Sequence, residues 1–103
     1  MIDPKYIEKI AKKHGIELIY LFGSKAKNSS SKLSDIDIAV LLEKYRRKDL
    51  KDIFLSLIYD FTKLFDSDKI DLLLLNKASL AIQFNVISEG KILYQIISYL
   101  GNF

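Results

Sequence analysis

Three aspartates stand at or near the start of hydrophobic segments, a position from which carboxylates can bind metal ions. Asp35 and Asp37 flank one isoleucine in SDIDIAVLL, and Asp71 interrupts a later hydrophobic run, IDLLLL. Residues two apart in a β-strand face the same side, so Asp35 and Asp37 are predicted to point together. Two such anions repel each other, and burial increases the cost. A divalent cation such as Mg²⁺ or Mn²⁺ would compensate this charge best, because carboxylate oxygens suit both ions.

Asp71 is the candidate for a third carboxylate ligand. If neighbouring strands bring it beside the other two, a second metal ion could sit roughly 3.5–4 Å from the first, as in phosphoryl-transfer enzymes. The three aspartates are therefore predicted to be both the metal ligands and the catalytic residues. The simpler alternative is that Asp35 and Asp37 mark a solvated strand end or a turn, and that Asp71 is an edge residue.

The Gly23-Ser24 pair, which ends an earlier hydrophobic run, is a candidate phosphate site. Glycine allows a tight turn and a close approach of the backbone. A helical turn that starts at Ser24 would direct free N–H groups and a hydroxyl at an anion, and Lys25 and Lys27 add positive charge. These residues are predicted to hold the terminal phosphates of a nucleotide, although the pair could also be an ordinary strand-to-helix turn. Together with the aspartates they provide the parts needed for metal-assisted nucleotidyl transfer.

The composition narrows both the class of protein and the chemistry. The 103 residues suit one domain, residues 1–103, and 50% hydrophobic with 28% charged residues is typical of soluble globular domains. The lack of cysteine excludes disulfides, thiolate metal sites and cysteine catalysis, and it agrees with a cytoplasmic location. His14 is the only histidine, so carboxylates must supply any metal or acid–base chemistry.

Neither a membrane nor a nucleic acid is the expected partner. No hydrophobic run approaches the roughly 20 residues of a membrane span, and the N-terminus lacks the apolar centre of a signal peptide. The net charge of +3 is too small to indicate nucleic-acid binding by itself. The basic stretch over residues 44–51 could contact RNA, but a solvated start of a helix explains it more simply.

Hydrophobic spacing predicts helices that alternate with short strands, hence an α/β fold with a short, mostly buried sheet. Asp3 and Pro4 suit a helix start and Gly15 a helix stop, with His14 capping or packing at that end. The apolar stripe over residues 50–65 is the strongest helical pattern. The predicted order is a helix ending before Gly15, strand 17–22, helical turn 24–27 ending at Asn28, strand 36–42, helix 50–65, strand 70–75, a helix capped by Asn76 with Leu80, Phe84 and Ile87 on one face, and strand 91–97.

Gly23-Ser24, ten further residues and then Asp35-Ile36-Asp37 resemble the G-S-x10-D-x-D signature of minimal nucleotidyltransferases. Those proteins belong to the DNA polymerase beta-like nucleotidyltransferase superfamily. The flanking stretches YLFGSKAK, SDIDIAVLL, IDLLLLNKA and ISEGKILY are similar too, so the resemblance covers residues 16–94. It implies an α/β (α+β) fold with a short mixed β-sheet flanked by helices.

The resemblance also implies residue roles and a reaction. Gly23 and Ser24 would hold the phosphates of a nucleotide, most simply ATP, while the three aspartates would bind two Mg²⁺ ions. Asp71 would also help to activate the attacking hydroxyl. The reaction would transfer a nucleoside monophosphate to a hydroxyl and release pyrophosphate. Many relatives have arginine where Lys25 and Lys27 stand, and lysine cannot make the bidentate phosphate contacts of arginine.

Small proteins similar to this one are commonly paired with a HEPN-domain toxin. The resemblance therefore implies an antitoxin that adds AMP to a tyrosine of the toxin. Two alternatives stay open, namely an antitoxin that binds without catalysis and a small-molecule transferase of the aminoglycoside-modifying kind. The apolar tail, residues 95–103, is either a last strand packed on the core or an interface with a partner, in a homodimer or a hetero-oligomer.

Overall fold

The computed structural model describes residues 3–23 and 35–96, which form a mixed sheet flanked by helices. Short 3₁₀ turns at Arg47–Asp49 and Leu75–Lys77 precede the second and third helices. The elements of this part of the chain are α1 (Pro4–His14), β1 (Ile16–Phe22), β2 (Ile36–Leu42), α2 (Leu50–Phe65), β3 (Ile70–Leu74), α3 (Leu80–Glu89) and β4 (Lys91–Gln95).

The four strands lie in the order β3-β2-β1-β4. β1 pairs antiparallel with both β2 and β4, whereas β2 and β3 run parallel. A parallel pair needs a crossover connection, and α2 provides it between β2 and β3. The mixed sheet with flanking helices confirms the predicted fold class. It also aligns the starts of β2 and β3, where Asp37 and Asp71 lie.

The first helix begins and ends where the sequence predicts. The side chain of Asp3 accepts a hydrogen bond of 2.9 Å from the backbone N–H of Lys5, and Pro4 occupies the first helical position. Gly15 adopts the left-handed conformation, with φ of 66°, and its N–H bonds to the carbonyl of Ala11. The chain then turns directly into β1.

A buried carboxylate ties α1 to α2. Nε2 of His14 lies 2.7 Å from Oδ2 of Asp60, and the ammonium group of Lys13 donates to the same oxygen at 3.1 Å. Burial alone would raise the pKa of Asp60, but the hydrogen bonds from His14 and Lys13 outweigh that effect and hold it below its usual value. His14 therefore packs at the helix end as predicted, against a partner in the second helix.

One face of the sheet carries the main core. The stripe of α2 faces it as predicted, with Leu57 and Phe61 fully buried, and α1 adds Ile7 and Ile10. Alternate strand residues complete this core, because side chains in a strand point to opposite faces in turn. Those strand residues are Ile36, Ile38, Val40 and Leu42 in β2 and Leu72 and Leu74 in β3. Ile16 and Ile19 of β1 also join this core, across the register shift between Ile16 and Leu18.

The opposite face of the sheet is covered by α3 through a smaller core of Ala39, Leu75 and Val86. One prediction about this helix was wrong, namely the residue that caps it. Ser79, not Asn76, caps α3 by accepting a hydrogen bond from the N–H of Ile82. Asn76 instead bonds to the backbone N and O of Leu42, at 2.8 and 3.0 Å, because the 3₁₀ turn brings it against the end of β2.

The predicted apolar face of α3 is exposed. Leu80, Phe84 and Ile87 have 82%, 73% and 53% of their surface accessible, while Val86 faces the sheet. Regarding the strand ends, β1 starts one residue earlier than predicted and β3 ends one residue earlier. The predicted helical turn over residues 24–27, with its end at Asn28, and the tail over residues 97–103 lie outside the described residues. In residues 3–23 and 35–96, no helix is long and apolar enough to cross a bilayer.

Candidate active site

The two strand aspartates lie on the face of the sheet that α3 covers. Ala39 and Leu73 belong to the smaller core beneath α3. Asp37 and Asp71 are two residues before them in β2 and β3, and therefore share their face. The main core under α1 and α2 lies on the other side of the sheet.

Asp37 and Asp71 are direct neighbours across the parallel pair, where the register aligns one with the other. Their carboxyl groups are close enough to share a hydrogen bond. Burial raises the pKa of Asp37 above its usual value, and repulsion from Asp71 together with the shared hydrogen bond raises it further. The pair thus concentrates negative charge at one point of the sheet, as the sequence predicts for these two residues.

Gly23 borders the site on the side of β1. Phe22 pairs with Asp37 in the β1–β2 register, so Gly23 follows at the strand end beside the carboxylates. Its φ of 73° favours glycine, and a Cβ built there would overlap Oδ2 of Asp37. The glycine thus lets the backbone come into contact with the carboxylate, and the structure brings Gly23, Asp37 and Asp71 together.

Of the other predicted site residues, the structure describes only Asp35. Asp35 precedes β2 and is exposed, and its charge adds the smallest of the repulsions that raise the pKa of Asp37. Ser24, Lys25 and Lys27 lie outside the described residues. Within residues 3–23 and 35–96, no three carboxylate or histidine side chains are positioned together to hold a metal ion.

The pair nevertheless has the chemistry of a cation site. The two adjoining carboxylates provide hard oxygen ligands, and the raised pKa of Asp37 shows that its charge lacks compensation among the described residues. Mg²⁺ is usually held by one or two carboxylates together with substrate phosphates, and Gly23 adds no side chain beside the Asp37 carboxylate. The residues therefore fit a magnesium–nucleotide complex.

A groove of about 240 Å³ adjoins Gly23 on the side of α3. Apolar side chains of Phe22, Ile82 and Val86 line it, together with the polar Asn85 and Glu89. Sequence reasoning assigned none of these residues to the site, although Phe22 precedes the Gly-Ser pair directly. The α3 residues were missed because only the packing of α3 beside Gly23 brings them there.

In a comparison with known proteins, one family model covers the region that contains the described site residues. A family model described as polymerase beta, nucleotidyltransferase, matches residues 5–97, which include Gly23, Asp37 and Asp71. A search of curated proteins gives no match.

Two solved structures illustrate the likeness. A crystal structure of a toxin–antitoxin with AMP-PNP contains a chain that is 30% identical, with a TM-score of 0.72 over 92% of this chain and 75% of that one. A structure of the tri-AMPylated Shewanella oneidensis HEPN toxin in complex with its MNT antitoxin contains a chain that is 29% identical. Its TM-score is 0.61 over 92% of this chain and 71% of that one.

Proposed function

The chain belongs to the polymerase beta nucleotidyltransferase family, as its resemblance predicted, and from that premise we propose that it is the antitoxin of a toxin–antitoxin pair. It transfers AMP from ATP to a tyrosine hydroxyl of a HEPN-type toxin, in a Mg²⁺-dependent reaction in the cytoplasm. The observation that carries this proposal is the contact of Gly23 with Asp37, which adjoins Asp71. The AMP-PNP complex and the tri-AMPylated toxin among the similar structures support the donor and the acceptor.

The metal would be held by Asp37 and Asp71, with Asp35 at the exposed edge of the same carboxylate group. When bound, Mg²⁺ neutralises the charge that develops on the α-phosphate and on the leaving pyrophosphate. The backbone at Gly23 and the polar residues Ser24, Lys25 and Lys27 orient the β- and γ-phosphates. These contacts would present the α-phosphorus to the acceptor hydroxyl.

In the transfer itself, the acceptor oxygen forms a bond to the α-phosphorus as the bond to the bridging oxygen of pyrophosphate breaks. Asp71 accepts the hydrogen bond of the attacking hydroxyl and takes its proton. Asp37 is assigned to metal binding, since its carboxylate lies beside the Gly23 backbone, where this proposal places the phosphates. In this proposal the acceptor is a tyrosine of the toxin, whose side chain supplies the attacking hydroxyl, and the tri-AMPylated toxin among the similar structures supports a toxin as acceptor.

Incubation with α-labelled ATP, Mg²⁺ and the HEPN-domain protein encoded beside this gene tests the proposal. The toxin should become labelled, and Asp37→Asn or Asp71→Asn should reduce labelling at least a hundredfold. Asp68→Asn is the matched control, because Asp68 is an exposed aspartate just before β3. Failure to label with any nucleotide, or full labelling by Asp37→Asn, would rule out the catalytic role.

A binding-only antitoxin is the second candidate. It is favoured by the placement of only two of the three predicted carboxylates in contact among the described residues. In that case Asp37→Asn combined with Asp35→Asn should still neutralise the toxin in cells. Loss of neutralisation by a double variant that still binds the toxin would instead show that catalysis is required.

A further inference from the structure

We propose that the groove between Phe22 and α3 holds the nucleoside of the donor nucleotide, and that Asn85 reads its base as adenine. This inference rests on the proposed nucleotide chemistry at Gly23 and adds the part of the ligand beyond the phosphates. The groove has the composition of a small-molecule site, with three apolar residues and two polar ones along its wall.

The position of Gly23 connects the groove to the carboxylates. Gly23 lines the groove and also touches the Asp37 carboxylate. Only the backbone of Gly23 therefore stands between the groove and the carboxylate at this position. Because it has no side chain, nothing at this position blocks a ligand that extends from one to the other. A nucleotide with its α-phosphate at Asp37 therefore has its ribose and base within reach of the groove.

The walls of the groove suit a flat heteroaromatic ring. Phe22 and Val86 belong to the smaller core beneath α3, which fixes two of the walls, and Ile82 forms a partly exposed rim. A base buried among these side chains would gain the hydrophobic free energy of its faces. Its polar edge would still need a hydrogen-bonding partner.

Asn85 supplies that partner. Its amide offers one acceptor and two donors, and the side chain is exposed towards solvent in the described structure. An adenine edge presents an amino donor next to a ring-nitrogen acceptor, which matches the amide, whereas the corresponding guanine edge presents two acceptors. Asn85 therefore favours ATP over GTP.

A tyrosine side chain of the acceptor is the competing occupant of the groove. Its only polar group is the hydroxyl, which has to lie at the α-phosphorus during transfer. The ring edge left in the groove would then face Asn85 without any group to bond to its amide. The Asn85 amide thus favours the base.

The test compares Asn85→Leu, which preserves side-chain size but removes the amide, with Ser88→Ala, an exposed position elsewhere on α3. Isothermal titration calorimetry measures binding of ATP, GTP and inorganic tripolyphosphate in the presence of Mg²⁺. In Asn85→Leu, the affinity for ATP and its preference over GTP should each fall about tenfold or more. Tripolyphosphate binding and the unfolding temperature should stay unchanged, and Ser88→Ala should match the wild type.

Three results would overturn the inference. One is an unchanged ATP affinity and ATP-over-GTP ratio in Asn85→Leu. Another is loss of toxin labelling by this variant with ATP binding intact, which would assign the groove to the acceptor. The third is an equal loss of ATP and tripolyphosphate binding, which would mean a general disturbance of the site. If the wild type binds neither ATP nor tripolyphosphate, the proposed function itself fails.

Discussion

Replacing Gly23 with alanine is the most direct test of the geometry at the candidate site. Gly23 and Gly15 have nearly the same left-handed backbone, with φ of 73° and 66°. A Cβ at Gly23 would overlap the Asp37 carboxylate, whereas a Cβ at Gly15 would meet nothing within 4 Å. Gly15→Ala therefore reproduces the backbone strain of Gly23→Ala without its collision, and the pair of variants separates the two effects.

The expected stability loss is similar in both variants. A non-glycine residue in the left-handed region costs roughly 1–2 kcal/mol. For a domain of this size, each kcal/mol lowers the unfolding temperature by about 4–8 °C. The collision at Gly23 adds little to that loss, because a carboxylate is the free end of a side chain and can rotate away.

The expected loss of activity differs sharply between the two variants. To reach an ordinary contact distance of about 3.5 Å from the new methyl group, the Asp37 carboxylate has to move by roughly 1 Å or more. A displacement of that size at a reacting centre can reduce the rate about a hundredfold. Gly23→Ala should therefore label the toxin about a hundredfold more slowly than Gly15→Ala.

Labelling rates and thermal unfolding, measured on the same preparations, check this prediction. The Mg²⁺-dependent rise in unfolding temperature with ATP should also be smaller in Gly23→Ala, because the metal ligand has moved. If the labelling rate of Gly23→Ala is within about threefold of the rate of Gly15→Ala, the reaction does not depend on the position of the Asp37 carboxylate beside residue 23.

Three further variants test the electrostatics and the turn that frames the site. Asp60→Asn should lower the free energy of unfolding by about 1–3 kcal/mol at neutral pH. Because the pKa of Asp60 is held low, this difference in stability from the wild type should shrink as the pH falls through the folded-state pKa. Denaturant titrations at neutral and at acidic pH measure the difference. Asp37→Asn should raise the unfolding temperature of the metal-free protein at neutral pH, since the raised pKa of Asp37 reflects a charge that opposes folding, and calorimetry should show the gain disappear in acid. Asn76→Ala should lower stability by about 1–3 kcal/mol, because it removes both hydrogen bonds to Leu42, and an unchanged denaturation midpoint would contradict their importance.

The elements of the fold were predictable because local spacing determines them. The stripe of α2 repeats at helical period, and its Leu57 and Phe61 are the residues that become fully buried. Asp3 and Gly15 define the ends of α1 by chemistry that needs no tertiary contact. Asn76 and Ser79 illustrate the limit of such reasoning, since both can cap a helix and only the 3₁₀ turn between β3 and α3 decides between them.

The candidate site was predictable in part. The spacing of Asp35 and Asp37 predicted a pair on one side of a strand, but β2 begins at Ile36, so Asp35 lies just outside it. The contact of Asp37 with Asp71 depends on a parallel register set across the α2 crossover, which no local pattern encodes. An apolar stripe shows that a helix has a hydrophobic face without showing what covers that face. The exposure of Leu80 and Phe84 could therefore not be predicted from the sequence.

Asp37 and Asp60 show why a carboxylate pair of this kind indicates a ligand. Asp60 is buried and Asp37 is half-buried, and in both the loss of hydration raises the pKa. At Asp60, hydrogen bonds from His14 and Lys13 reverse that effect, so the protein itself supplies the compensating cations. At Asp37, the charged neighbours that act on it in the described part of the chain are carboxylates, and each raises the pKa further. A like-charged pair at adjoining strand positions destabilises a sheet, and no cationic side chain among the described residues lowers the pKa of Asp37. In the proposed function, magnesium carried by a nucleotide would offset the charge of this pair, since it adds positive charge only when substrate is present.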